Sequence, residues 1–281
     1  MTILEYCIDN LDAIVSYQQR DFTWVKYNQN PLNEIPSFNQ ILNQIPEAIN
    51  REHIIQEFGN GNFYKGFIMA MMWGQIGNRP REEGAKKTTD AYKAFNSSPE
   101  VVDSRLRVIR DTIANEEFEE AYNLLAGQLK FDGIDVSFFT KLLSFISETF
   151  NPPKNLLIYD SRTKLIHIHL MLDNELDPTQ FYRQADLRRI CQAKANGSYE
   201  TKMIYTYPGM GANSYMSYNN LICQLSNDIL RMRNVAISPF DLEGYLFGWK
   251  LHGQQNIVPA NPRFWIQSNF VEFYLPQFNE L

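Results

Sequence analysis

The stretch LKFDGIDVSFFTKLLSFISETF (residues 129–150) constrains this chain more than any other. Gly133 interrupts it, and Phe139, Leu142, Leu143, Ile146 and Phe150 then recur three or four residues apart. That spacing lines one face of an α-helix. NPPKNLLIYD follows, and each proline disfavours helical backbone at the residue before it, so an extended loop is expected. Asp160 and Ser161 then precede a second helical run, TKLIHIHLML. A turn, an amphipathic helix, a proline loop and another helix in close succession put the chain in the mainly α class.

The flanking sequence agrees. The spacing predicts a helix around 37–58, stopped by FGNGN, and a buried helix over FYKGFIMAMMW (63–73), closed by GQIGNRP. Ser98 and Pro99 read as an N-cap and first-turn proline ahead of helices around 100–114 and 116–127. Residues 194–213 are rich in Gly and Tyr and suit a lid loop or a small β-hairpin near 198–208. Tyr218, Leu221, Ile222, Leu225 and Ile229 mark a late helix, another is expected around 238–249, and the last thirty residues read as irregular. There is no internal repeat and no low-complexity tract.

Composition excludes several classes. An apolar fraction of 44% is incompatible with wholesale disorder. No run approaches the roughly 20 apolar residues that span a bilayer, and MTILEYCIDN lacks a signal peptide's basic region and apolar core, so no membrane association and a cytoplasmic location are expected. Cys7, Cys191 and Cys223 are far apart and match no metal spacing; they read as reduced, packed thiols. His167 and His169 lie two apart, which on a helix puts them on different faces, so no metal is expected there. No phosphate loop, dinucleotide fingerprint or nucleophile elbow is present, and no cofactor is expected. A net charge of −6 argues against a general nucleic-acid coat protein, although residues 79–110 and 183–202 are locally basic.

Lys141 falls with Ser137, Ser144 and Glu148 on the stripe opposite the apolar one. Alone, it reads as a solvated lysine on the wet side of a helix. Asp160, just before a helix, alone reads as a cap for free backbone N–H groups, worth ~1 kcal/mol.

The segment Gly133–Arg162 resembles the helix-hairpin-helix superfamily of DNA glycosylases and is most similar to its bacterial 8-oxoguanine DNA glycosylase-like branch. The resemblance is carried by the turn at Gly133-Ile134, the run SFFTKLL (137–143), the proline loop and the YDSR block (159–162). WGQIGNRPR (73–81) and YMSYNNLICQLSNDILRM with DLEGYLF (215–232 and 241–247) support it, so that it covers roughly residues 35–250. The resemblance implies two helical lobes around a cleft. It divides the chain into an N-terminal extension (1–34), a glycosylase-like region (35–250, with the hairpin and catalytic segment at 129–163) and a C-terminal tail (251–281).

It also implies a mechanism in which a lysine attacks the sugar C1′, expels a purine, forms a Schiff base and then cleaves the strand. Carried over by motif, Lys141 is the amine and Asp160 the carboxylate that steadies charge developing at the sugar. Trp73 and Gly74, with Tyr215 and Tyr218, are implied to line the base pocket; the alternative is Trp73 in the core and the tyrosines over a surface groove. Gly133, Ser137, Arg79, Arg81 and Arg162 are implied phosphate contacts. An exposed lysine (pKa ~10.4) is almost wholly protonated at neutral pH, and bringing it near 7.4 takes about 4 kcal/mol of desolvation. Burial of Lys141 therefore separates nucleophile from solvated lysine.

Two positions depart from the superfamily pattern. Its lysine usually stands one turn earlier, where this chain has Ser137, although positions four apart share a helix face. Asp135 occupies the place of the hairpin's second glycine, which lets backbone N–H groups approach a phosphate. The expected partner is DNA or another nucleobase-containing substrate. Members of this branch also accompany bacterial antiphage signalling systems. That implies, as alternatives, a glycosylase-like protein acting on a phage-modified base or a nucleobase on a non-DNA carrier, with defence-operon protein partners, or a non-catalytic helical binding module.

Overall fold

The computed structural model describes residues 1–17, 35–74, 90–248 and 261–279. The chain divides into two compact units, one of residues Arg20–Ile158 and one of Met1–Gln19 with Tyr159–Leu281. In chain order the described helices begin with α1 (Ile3–Asp9) and α2 (Leu11–Val15), which belong to the second unit. The central unit holds α3 (Pro36–Leu42), α4 (Arg51–Gly59), α5 (Phe63–Trp73), α6 (Asp90–Phe95), α7 (Pro99–Ala114), α8 (Phe118–Ala126) and α9 (Val136–Ser147). The second unit continues with α10 (Ser161–Asp173), α11 (Gln184–Leu187), strands β1 (Cys191–Ala193) and β2 (Tyr199–Thr201), α12 (Gly211–Arg233), α13 (Pro239–Phe247), α14 (Pro262–Asn269) and α15 (Leu275–Asn279). The protein is mainly helical, and among the described residues β1 and β2 form its one sheet. No described helix is long and apolar enough to cross a membrane.

In the central unit, α5 is the buried helix that its unbroken apolar run predicts, with Phe63, Phe67, Met69 and Met71 all inaccessible. It packs on α4, α7 and α9. Its first turn has no side-chain cap of its own, and Asp103 of α7 supplies one by accepting from the Tyr64 amide (2.8 Å). The single helix expected around 37–58 is instead the pair α3 and α4. Pro46 lacks an N–H and disfavours helix at Ile45, and Asn50 starts the chain afresh by accepting from the His53 amide (2.8 Å).

The polar stripe of α9 is not wet. Ser144 is fully buried and Glu148 nearly so, because Arg51, only 1% exposed, reaches them from α4. Its Nε donates to Glu148 Oε1 (2.7 Å), its Nη2 donates to Ser144 Oγ (2.6 Å) and also pairs with Glu148, and its guanidinium lies 4.9 Å over the Phe145 ring. Helix α9 is therefore enclosed on its polar side by an ion pair as well as on its apolar side by the core.

The second unit is built around α10, which packs on α12, α13, α14 and α1. Asp173 at its end accepts from the Ile3 amide (2.6 Å) and from the Tyr274 hydroxyl, so one carboxylate holds both chain ends of the unit. The hairpin lies earlier than expected: Cys191–Ala193 pairs with Tyr199–Thr201 around Asn196-Gly197, and Gly197 takes φ +77°. The Gly197 amide donates to the Lys194 carbonyl (3.0 Å), a tight turn followed by a left-handed residue, the position that glycine fills in three-residue hairpin loops. Residues 203–208 contribute instead an isolated bridge, Tyr182 to Thr206. The described part of the tail, expected to be irregular, is helical. Asn261 caps α14 by accepting from the Arg263 amide (3.0 Å), Pro262 occupies the first helical position, and Ile266, Phe270 and Phe278 are buried.

Replacing Arg51 by Ala leaves Glu148 buried without its cation and is expected to cost about 3–5 kcal/mol. Urea unfolding at pH 7 measures it, and a loss under 1 kcal/mol would show that the pair does not hold α4 to α9.

Candidate active site

Lys141 belongs to the central unit and Asp160 to the second, and each is positioned by its own helix start. Between α8 and α9 the chain turns at Gly133, whose φ of +74° lies in the left-handed region that glycine adopts without strain. Asp135 then caps α9, its Oδ1 accepting from both the amide (3.0 Å) and the hydroxyl (2.9 Å) of Ser137. The departure from a hairpin glycine thus has a local cause: this residue spends its carboxylate on the helix start, where the dipole favours negative charge. The side chain remains exposed, and Ser137 is buried.

One turn along, Lys141 is 8% exposed, which removes the solvated wet-side alternative. Helical side chains point back toward the N-terminus. Accordingly Lys141 Nζ donates to the Ser137 carbonyl (2.5 Å) and lies 4.8 Å from the centre of the Phe138 ring. Gly74, just past the end of α5, packs on this group. A Cβ there would come 2.9 Å from the Phe138 ring and 3.1 Å from Lys141 Cδ, so the missing side chain is what admits the lysine. Trp73 is buried and meets Phe145 edge-on, with centroids 5.3 Å apart. Ser137, Lys141 and Gly74 are brought together, and Trp73 is core. Arg79 and Arg81 lie outside the described residues.

In the second unit Asp160 caps α10. Its Oδ1 accepts from the amides of Arg162 (2.8 Å) and Thr163 (3.1 Å), while its own amide donates to Thr163 Oγ1 (2.7 Å). Arg162, in that first turn, holds its guanidinium 5.1 Å over the Phe247 ring. Tyr215 and Tyr218 are fully buried rather than spread over a surface groove, and Tyr218 donates to Glu243 Oε1 (3.1 Å). Both pack beside Tyr159, with centroids 5.7 and 5.3 Å away.

Tyr159 anchors a buried polar cluster that periodicity did not single out. Its hydroxyl contacts Ser214 Oγ (2.6 Å), His167 Nδ1 (2.9 Å) and the Tyr182 hydroxyl, and His167 Nε2 lies 3.0 Å from Ser217 Oγ. Both His167 nitrogens are thus engaged. Lys164, 2% exposed, donates to the Ile204 carbonyl (2.7 Å), its Nζ 5.5 Å from the Tyr159 ring centre. His169 faces a different neighbourhood, stacked on Trp265 (5.7 Å) and edge-on to Tyr274 (4.8 Å). The HIHL motif was the available sign of this cluster, but its partners come from residues 182 and 214–217 and lie beyond local pattern.

Burial pushes both imidazoles down to about 3; the Lys164 cation adds to this at His167, and at His169 the neighbouring Asn269 side chain opposes it. The unfolded chain, with histidines near 6.5, takes up protons first on acidification. Stability is therefore expected to fall as pH drops from about 6.5 toward 3 and to be insensitive to these groups above that window. Nitrogen-15 spectra of histidine-labelled protein should show both rings neutral at pH 5.5; protonated rings in the folded protein at that pH would overturn the assignment.

Residues 17–247 match the family described as "Putative 8-oxoguanine DNA glycosylase OGG-like protein". No curated protein and no solved structure gave a match. The matched stretch contains the Gly133 turn, Lys141 with Gly74 against it, and the Asp160-capped helix α10, and the chain belongs to this 8-oxoguanine DNA glycosylase OGG-like family.

Proposed function

We propose that the protein is a DNA glycosylase with β-lyase activity that excises a damaged or modified purine of the 8-oxoguanine type through a Schiff base on Lys141. The observation that carries this reading is the path of the Lys141 side chain. It runs back one helical turn and brings Nζ over the Ser137 carbonyl, the position from which the superfamily's lysine usually starts. The amine reaches that point from the next turn, and burial beside Gly74 and Phe138 takes it out of bulk water; a lysine amine acts as a nucleophile once it is deprotonated.

In the proposed reaction the lone pair of Lys141 forms the bond to C1′ as the C1′–N9 bond breaks, its electron pair leaving on the base, which takes up a proton. Loss of a proton from nitrogen and opening of the sugar ring give the iminium. Removal of a C2′ proton then expels the 3′ phosphate by β-elimination. Asp160 is the carboxylate that offsets positive charge at the sugar during base departure. Its engagement with two α10 amides holds it in one orientation.

A second reading keeps Lys141 and Asp160 and changes the substrate to a phage-modified base or a nucleobase on another carrier. It is favoured by the exposed Asp135 carboxylate at the hairpin, which repels a nearby phosphate.

Borohydride reduction on a panel of duplexes bearing 8-oxoguanine or other modified purines is expected to trap the wild-type protein covalently. Lys141→Gln should lose trapping by at least ~10²-fold with an unchanged circular dichroism spectrum, and Asp160→Asn should slow it by about 10²–10³-fold. Undiminished trapping by Lys141→Gln sinks the mechanism, whereas trapping confined to modified bases other than 8-oxoguanine selects the second reading.

A further inference from the structure

Two helix starts converge within the second unit. Arg162 is the second residue of α10 and Arg263 the second residue of α14, and their amides are capped by Asp160 and Asn261. Both guanidiniums lie over one aromatic ring, Phe247 at the end of α13, at 5.1 and 5.5 Å from its centre. Arg263 Nε also donates to the Phe247 carbonyl (3.2 Å). The approach depends on Gly248, at φ +63°, where a Cβ would stand 2.6 Å from Asn261 Oδ1 and 2.8 Å from the Arg263 amide nitrogen. The three side chains edge a small, mostly apolar depression that Thr201, Gln267, Leu165 and Ile266 also line.

This is an expensive arrangement. Two cations lie near one ring, each at a helix start, where the dipole points its positive end. Among the described residues no carboxylate makes an ion pair with Arg263. Burial and the Arg162 charge push Arg263 down to about 10, opposed by the charge of Asp160. An anion seated across the two guanidiniums would offset these costs together.

We infer that Arg162 and Arg263, held over Phe247, form a clamp for a backbone phosphate of the polynucleotide substrate. Planar guanidinium forks suit the paired oxygens of a phosphate diester. Arg263 lies beyond the residues matched by the family, so this half of the clamp is a feature of the chain's own C-terminal segment. The inference rests on the glycosylase reading for the identity of the polymer. Because Arg162 follows Asp160 by two residues, the bound phosphate belongs within a helical turn of that carboxylate.

The test measures anisotropy of a labelled 25-base-pair duplex carrying a tetrahydrofuran abasic analogue, from about 50 to 300 mM NaCl, with the full chain. Losing one phosphate contact makes the slope of log K against log salt shallower by about 0.9. Arg263→Gln should show that change and Arg263→Lys should keep the wild-type slope. An Arg263→Gln slope equal to wild type, with equal melting temperatures, overturns the clamp. Methylphosphonate substitution, one phosphate at a time, tests the wild-type protein without any variant: neutralising the clamped phosphate should produce the same slope change, and a scan without such a phosphate overturns the proposal. Inorganic phosphate that stabilises wild type over Arg263→Gln while the duplex slopes stay equal assigns the site to free phosphate and likewise overturns it. A duplex carrying 8-oxoguanine or another modified purine that binds with the expected slopes, and on which borohydride traps nothing, overturns the Lys141 reading alone.

Discussion

The burial of Arg51 against Glu148 and Ser144 is the interaction on which the central unit depends. It lets α9 carry a polar stripe into the interior, because the guanidinium meets one carboxylate and one hydroxyl that would otherwise be desolvated without partners. With that stripe enclosed, Lys141 is drawn in as well. The helix that bears the candidate nucleophile is therefore fixed by packing on its apolar side and by charge-assisted hydrogen bonds on the other. A buried pair of this kind adds little net stability over a hydrophobic replacement, yet removing one partner is costly. Its value here is geometric: it sets how α4 and α9 meet.

Helix starts do most of the remaining positioning. Asp135, Asp160 and Asn261 each turn a side-chain oxygen onto the second backbone amide of the helix they open. In each case the residue delivered by that first turn, or by the next, is one of interest: Ser137 and Lys141, Arg162, and Arg263. Capping explains Asp135 without reference to substrate, and it gives Asp160 a structural duty at the start of α10. Glycines act where backbones or side chains must approach closely. Gly74 makes room for Lys141, and Gly248 lets the start of α14 close on Phe247.

One set of polar groups buried in the second unit is held by mutual hydrogen bonds. Tyr159, His167, Tyr182 and Ser214 satisfy one another in a closed cluster, and Lys164 passes its charge to a backbone carbonyl. Fully satisfied networks of this kind specify one packing arrangement. Tyr215 and Tyr218 belong to the same interior, packed beside Tyr159, and are not exposed stacking surfaces.

Much of this was legible in the residues. The apolar run over 63–73, the caps at Ser98 and Asp160, the break at Gly133 and the period of α9 are local signals, and each produced the expected element because backbone hydrogen bonding and side-chain spacing act over a few residues. Family membership was likewise carried by short blocks in a fixed order. What local sequence could not decide was which polar residues would be buried. Ser144 and Glu148 look solvated until Arg51, 93 residues from Ser144, closes over them, and Lys141 until Gly74 packs on it. The tail looks irregular until Ile266, Phe270 and Phe278 find a core to enter. Arg263 is an unremarkable basic residue until α14 is set beside Phe247. Burial and charge pairing depend on partners distant in the chain, and only the tertiary structure brings those partners together.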